Sequence, residues 1–233
     1  MELDITSSLF WVAVGQIILI DIVLSGDNAV VIALACRNLT QEQRKTGIFW
    51  GVAGAISLRV VLTVFAAMVM GLPWLKLVGG LLLIWIAVKL MLPEEEEGHD
   101  IKASTHLWGA VKTIIVADFV MSLDNVIAVA GAAHGSLPLL LFGLAVSIPL
   151  IVWSSQLILH WMERWPVIIL LGAGLLGYVA GQMIFSDPGV LALLPPLPKW
   201  SDKAAGAVGA IMVVAVGRWL EQRMLARQDV TIV

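Results

Sequence analysis

Apolar residues along this chain run in long blocks with few charges inside them. A block of about 18 or more residues reads as a membrane-spanning helix. Seven spans are expected: Leu9–Cys36, Thr46–Gly71, Trp74–Leu92, Leu107–Ala133, Leu137–His160, Val167–Phe185 and Lys203–Leu220. Turn and charge signals separate them at Arg37 through Lys45, Gly71-Leu72-Pro73, Pro93 through Thr105, His134-Gly135-Ser136, Glu163 through Pro166, and Asp187 through Ser201. The expected fold class is an all-α membrane protein.

Composition agrees. Of 233 residues 60% are hydrophobic and 13% charged, where a soluble domain is about half apolar and about a quarter charged. The single Cys36 excludes an internal disulfide framework and a cysteine-based metal site. The net charge of −3 says little by itself, but the arginines are scattered and form no basic stripe, so no nucleic-acid partner is expected. The N-terminus Met1-Glu2-Leu3-Asp4 lacks a basic n-region, and the first apolar run is long enough to span, so no cleavable signal peptide is expected.

Cytoplasmic loops of membrane proteins are enriched in Lys and Arg. With the N-terminus outside, the inner loops hold Arg37, Arg44, Lys45, Lys89, Lys102 and Arg164, and the tail adds Arg218, Arg223 and Arg227. Only Lys76, Lys199 and Lys203 are left outside. The C-terminus is therefore expected in the cytoplasm. Most tryptophans fall near span ends, as an interfacial aromatic belt requires.

The chain also contains itself twice. Asp21-Ile22-Val23-Leu24-Ser25-Gly26-Asp27-Asn28 in the first span matches Asp118-Phe119-Val120-Met121-Ser122-Leu123-Asp124-Asn125 in the fourth, sharing D-x-x-x-S-x-D-N. Gly79 through Lys89 in the third span aligns with Gly172 through Gln182 in the sixth, and the second and fifth match loosely around Ser57 and Ser147. Three spans per repeat is an odd number, so the second copy must enter the membrane in the opposite direction. Inverted repeats are a transporter architecture with the substrate site near the midplane. The expected organisation is a first three-helix repeat over 1–92, an acidic cytoplasmic loop over 93–106, an inverted repeat over 107–185, an outer loop over 186–202, and a seventh helix with a basic cytoplasmic tail over 203–233.

The repeated motif places Asp21, Asp27, Asp118 and Asp124 inside spans. Each ionisable group at mid-membrane costs roughly 2.5–3.5 kcal/mol on insertion scales, and four together on the order of 10 kcal/mol, unless they face water, take protons or bind a cation. At about 100° per residue, Asp21, Ser25 and Asn28 share a helix face while Asp27 is turned about 120° away. Asp118, Ser122 and Asn125 repeat the pattern, with Asp124 off the stripe. Bringing both carboxylates of one motif to one ion requires the helix to loosen, for which Gly26 is well placed and Leu123 is not. Carboxylates, amide oxygens and hydroxyls are hard ligands suited to Mg²⁺, Ca²⁺ or Mn²⁺. One divalent ion neutralises two of four carboxylates, which makes coupled proton exchange an expectation.

Arg59 is the one basic residue deep in a span. Two readings stay open: it pairs with a motif aspartate when the ion is absent or gates the path, or it makes a fixed structural ion pair between helices. Lys89 and Lys112 are expected to snorkel to the interface, and His134 and His160 sit at span ends. The Glu94–Glu97 run with His99 and Asp100 is a cation collector or a solvated linker. No HExxH motif and no Ser-His pair stands out, so an enzyme is not expected.

The paired segments Ser25-Gly26-Asp27-Asn28 and Ser122-Leu123-Asp124-Asn125, each preceded by Asp at the same spacing, resemble the TerC family of integral membrane proteins, its short seven-span branch above all. That family is named for tellurium resistance, is linked to manganese efflux and to metal supply for exported enzymes, and is grouped with LysE-type transporters. The resemblance implies a metal site at Asp21, Asp27, Asn28, Asp118, Asp124 and Asn125, with Ser25, Gly26, Arg59 and Ser122 supporting or gating it; Arg59 is similar to the family's second-span arginine. It implies Mn²⁺ efflux by alternating access, no permanent cofactor, and a multi-pass protein of the bacterial inner (cytoplasmic) membrane. Implied partners are the lipid bilayer, the cation, a second copy in a homo-oligomer, and protein-translocation or exoenzyme-metallation proteins. Two alternatives remain: a transporter of Ca²⁺ or an organic solute, and a membrane scaffold or metal-handover partner that transports nothing.

Overall fold

The computed structural model of the protein describes residues 11–12, 14–15, 26–69, 72–92, 102–132, 137–195, 198 and 200–231. Among these residues eight helices can be delimited, with no strand: α1 (Gly26–Cys36), α2 (Gln41–Val69), α3 (Leu75–Met91), α4 (Lys102–Ala132), α5 (Leu137–Arg164), α6 (Val167–Phe185), the short α7 (Pro188–Leu193) and α8 (Ser201–Thr231). Among the described residues four stretches are long and apolar enough to cross a membrane: Gln41–Leu62, His106–Leu123, Val167–Phe185 and Ser201–Ala226. The 17 residues of α3 sit at the lower limit of spanning length.

Those apolar stretches are poorly covered by protein. Within an 18-residue apolar stretch of Ser201–Ala226 only 22% of the positions are buried, and within one of Val167–Phe185 only 39%; all ten tryptophans are exposed. Apolar surface on that scale would drive a water-soluble chain to aggregate. In a bilayer it is the outer surface. Lys89 is exposed and lies 5.3 Å over the Trp85 ring, and Lys112 is exposed as well, as snorkelling side chains should be.

The chain divides into two compact units, each drawing on both halves of the sequence. One comprises Met1–Gly71 and Leu107–His160, the other Leu72–His106 and Trp161–Val233. In the first unit a capping box starts α2: Thr40 Oγ1 accepts from the Gln43 N–H and Gln43 Oε1 from the Thr40 N–H, both at 3.4 Å. Arg44 closes the preceding turn by donating to the carbonyls of Arg37 (2.7 Å) and Leu39 (2.9 Å). Helix α2 lies close to α4 because Gly51 has no side chain; a Cβ there would come within 2.6 Å of Ile114. Arg59, eight residues on, meets Ser122, eight residues beyond Ile114. The equal advance means that α2 and α4 run in the same direction.

In the second unit α6 packs between α3 and α8 on small residues. Gly172, Ala173, Gly177, Ala180 and Gly181 are buried. A Cβ on Gly177 would stand 2.6 Å from the Gly209 carbonyl of α8, and one on Gly80 of α3 would stand 2.9 Å from the Ala180 carbonyl. Such small-residue seams let membrane helices approach closely.

Several helices run past the ends of their apolar blocks, while α3 falls one residue short of its block at each end. The sixth span matches α6 at both ends, but α2 and α4 start five residues earlier than expected, and α8 continues to Thr231 where a tail after Leu220 was expected. Helical hydrogen bonding does not stop where hydrophobicity does. The segment 186–202, expected as an outer loop, contains α7, started by the Asp187 side chain with Pro188 in the first turn.

Candidate functional site

Three helices of the first unit converge on a polar cluster in an otherwise apolar interior. Arg59 on α2 donates from its terminal NH2 group to Asp118 Oδ1 at 2.7 Å and from Nε to Ser122 Oγ at 3.2 Å. Ser122 in turn donates to Asp118 Oδ2 at 3.2 Å. The i, i+4 spacing of Asp118 and Ser122 on α4 makes that bond, and α4 continues unbroken through Leu123. Arg59, Asp118 and Ser122 are 5%, 6% and 0% exposed. Two charges this deep carry a heavy desolvation penalty that good geometry and added hydrogen bonds offset. The triangle supplies both.

Beside it stands Asn28, in the first turns of α1. It is 4% exposed, and neither its Oδ1 nor its Nδ2 has a hydrogen-bond partner among the described residues. A buried polar group without a partner costs about 1–3 kcal/mol. Asn28, Arg59 and Asp118 line a common cavity of about 20 Å³, walled by Val31, Ile114 and Ile151 among others. That is room for about one water-sized body. Asn28 belongs to the first copy of the motif and Asp118 to the second, so the cavity is shared by both copies.

The other sequence-expected residues stand as follows. Asp27 is half-buried, its Oδ1 accepting the Asn28 backbone N–H at 2.9 Å, and it is not among the residues lining the cavity. Gly26 is the first residue of α1. Asp21 and Ser25 lie outside the described residues, as does the acidic run Glu94–Asp100. Asp124 and Asn125 lie within the helical backbone of α4, their side chains outside the described set. Among the described residues no three His, Cys, Asp or Glu side chains gather as a metal-binding group. The donors that do gather are an amide, a carboxylate and a hydroxyl, all with oxygen atoms a hard cation accepts.

Sequence reasoning missed a second polar centre, in the other unit. Asp187 is 0% exposed, and its carboxylate accepts backbone N–H groups from Trp74, Lys76, Leu77, Gly189 and Val190 at 2.7–3.2 Å. Burial alone would raise its pKa, but the N–H donors from Trp74, Leu77, Gly189 and Val190 outweigh it and hold the carboxyl below its usual value. The Asp-Pro pair at 187–188 signals the cap on α7; nothing local signals the cap on α3.

The Integral membrane protein TerC family matches the chain over residues 6–225. The chain is 46% identical over 187 residues to "Uncharacterized membrane protein YjbE" of Bacillus subtilis (strain 168), covering 80% of this chain and 83% of the relative. It is 29% identical over 201 residues to "UPF0053 inner membrane protein YgdQ" of Escherichia coli (strain K12), covering 78% and 84%. A second Bacillus subtilis protein, "Uncharacterized membrane protein YceF", is 25% identical over 188 residues, 77% of this chain and 73% of the relative. No solved structure matches the chain.

Proposed function

This chain belongs to the TerC family of integral membrane proteins, and we propose that it is a divalent-cation transporter that exports Mn²⁺ by alternating access around its buried Asp/Asn site. The observation that carries the reading is Asn28, whose buried side-chain amide has no partner among the described residues and shares a cavity with Asp118. Buried polar groups are normally satisfied by protein or by something bound. A partly hydrated cation does this well: Asn28 Oδ1 can ligate it, and Asn28 Nδ2 can donate to one of its waters.

The class of ion follows from the ligands, the choice of manganese from the family resemblance. Amide, carboxylate and hydroxyl oxygens favour a hard divalent ion over Cu⁺ or a thiolate-bound metal. The proposed architecture is seven spans in two inverted three-helix repeats, Asp21, Asp27, Asp124 and Asn125 completing the site with Asn28 and Asp118. The common direction of α2 and α4 supports it, since the second and fourth spans of such a chain must run alike. We place the protein in the inner membrane with the C-terminus in the cytoplasm, where Arg218, Arg223 and Arg227 lie. Outward cation movement is coupled to proton entry in this reading, and the chain catalyses no covalent chemistry.

The test is total cellular metal after a manganese load, in cells lacking their own manganese exporters. Wild type and the Asn28→Ala, Asp118→Asn, Asp27→Ala and Asp124→Ala variants are compared at matched membrane abundance. Wild type should lower manganese, and the site variants should not. A fall in calcium instead keeps the site and changes the cargo. If no metal moves and deletion of residues 93–106 has the stronger phenotype, the protein is a scaffold.

A further inference from the structure

Resting on that reading of the site, we propose that Arg59 is its resident counter-cation: the guanidinium holds the Asp118 carboxylate whenever no metal does, and a metal gains Asp118 only by displacing it. Three observations carry this. Both carboxylate oxygens are engaged, Oδ1 by the Arg59 guanidinium at 2.7 Å and Oδ2 by the Ser122 hydroxyl at 3.2 Å, and Ser122 is itself held by Arg59 Nε at 3.2 Å. Withdrawing this one side chain therefore frees Asp118 Oδ1 and an acceptor position on Ser122 Oγ together, while the Ser122–Asp118 bond keeps the two oriented. The cavity that Asn28 shares with this pair measures about 20 Å³ and has Arg59 itself as part of its wall. It admits one water-sized body, so a metal keeping even part of its hydration shell needs the volume the guanidinium fills. Finally, Arg59 is 5% exposed, and a guanidinium and a divalent ion sharing one carboxylate in so dry a place would repel strongly.

Arginine suits this role because it does not give up its proton. A lysine could yield the carboxylate by deprotonating; Arg59 must swing away. Two consequences follow. Asp118 is never left as an uncompensated buried charge, so the site can reorient without cargo. The metal, for its part, binds only the fraction of molecules in which Arg59 has withdrawn, and its apparent affinity falls by that fraction. An arginine that holds Asp118 about nine-tenths of the time weakens binding about tenfold. Weak loading suits a protein that must let its cargo go.

The experiment is Mn²⁺ binding by equilibrium dialysis to the purified full-length protein in detergent, with Mn²⁺ transport by the same proteins in liposomes. The proteins are wild type, Arg59→Gln, Arg59→Lys and Asp118→Asn. Arg59→Gln should bind Mn²⁺ about tenfold more tightly than wild type while its maximal transport rate falls, because cargo is held and the unloaded site carries an uncompensated charge. Arg59→Lys should fall between the two, since one ammonium spans Asp118 and Ser122 less well than the guanidinium fork. Asp118→Asn should weaken binding. If Arg59→Gln, or Arg59→Lys where the former does not fold, binds Mn²⁺ no more tightly than wild type while Asp118→Asn weakens it, Arg59 is a structural partner only and the proposal is overturned. If wild type neither binds nor transports Mn²⁺, the transport reading itself fails, and this inference fails with it.

Discussion

The Asp187 carboxylate accepts the backbone N–H of Trp74 at 3.0 Å across 113 residues of sequence. Trp74 precedes α3 with φ 69°, the one non-glycine at positive φ among the described residues. That conformation is disfavoured for a bulky side chain, and here it is held at both ends. The N–H is fixed by Asp187, and the Trp74 ring lies where a Cβ on Gly189 would come within 2.8 Å of it. The same carboxylate caps α3 through Lys76 and Leu77 and α7 through Gly189 and Val190. One side chain thus serves two helix N-termini, where a negative charge is also favoured by the helix dipoles.

Asp187→Ala is expected to destabilise the protein by more than an ordinary cap mutation. A lost N-cap costs about 0.5–2 kcal/mol, and two are lost together. Asp187→Asn should cost less, since its amide oxygen still serves one helix. Thermal unfolding in detergent should rank the melting temperatures wild type, Asn, Ala; a wild-type value for Ala would mean that water replaces the carboxylate.

The acid sensitivity of that clamp has a definite sign. Asp187 titrates below the usual carboxylate value in the folded protein, so its contribution to stability is fully present above about pH 4. It is lost as pH falls through the lower folded value, where the protonated acid can no longer accept all five N–H groups. The melting temperature of wild type should therefore drop more steeply below pH 4 than that of Asp187→Asn, which has no charge to lose. Parallel acid limbs would assign the sensitivity to other groups.

What could be read beforehand divides along physical lines. The span Val167–Phe185 was legible to the residue, because an uninterrupted apolar run meets Pro166 on one side and Ser186 on the other. The far end of α8 was not, since Arg218, Glu221 and Arg223 break the apolar run and the helix continues past them to Thr231. In the site, 100° per residue predicts that Asp118 and Ser122 share a face, and they hydrogen-bond. That Arg59 sits inside a span was visible too; that it takes Asp118 depends on how closely Gly51 lets α2 approach α4. The unpartnered state of Asn28 is a property of packing, and no spacing encodes it.

The glycine seams give a contrast that distance alone decides. Replacing a helical glycine by alanine gains about 0.5–1 kcal/mol from reduced backbone entropy. At Gly109 a Cβ would meet nothing within 4 Å, so Gly109→Ala should be neutral or stabilising. At Gly177 a Cβ would lie 2.6 Å from the Gly209 carbonyl and 2.8 Å from Val213. Overpacking of this kind costs about 1–3 kcal/mol, which outweighs the entropy gain, so Gly177→Ala should unfold at lower temperature. Equal melting temperatures for the two variants would show that α6 and α8 separate freely.

Asn28→Leu should separate stability from function. Both polar atoms of this side chain are buried without a partner among the described residues, and each such group costs about 1–3 kcal/mol. Leucine removes that penalty and extends the apolar surface already made by Val31, Ile114 and Ile151 around the cavity. The variant should therefore melt at or above the wild-type temperature. A structural asparagine would behave in the opposite way, losing stability on substitution. Transport and Mn²⁺ binding should nevertheless be lost, because the cavity no longer presents an amide oxygen and the leucine fills it. Asn28→Asp provides the companion measurement: it restores an oxygen ligand with added charge, so Mn²⁺ binding should return, more tightly than in wild type, at some cost in folding stability. If Asn28→Leu lowers the melting temperature and leaves manganese efflux intact, the amide serves the fold, and the cation path must run elsewhere.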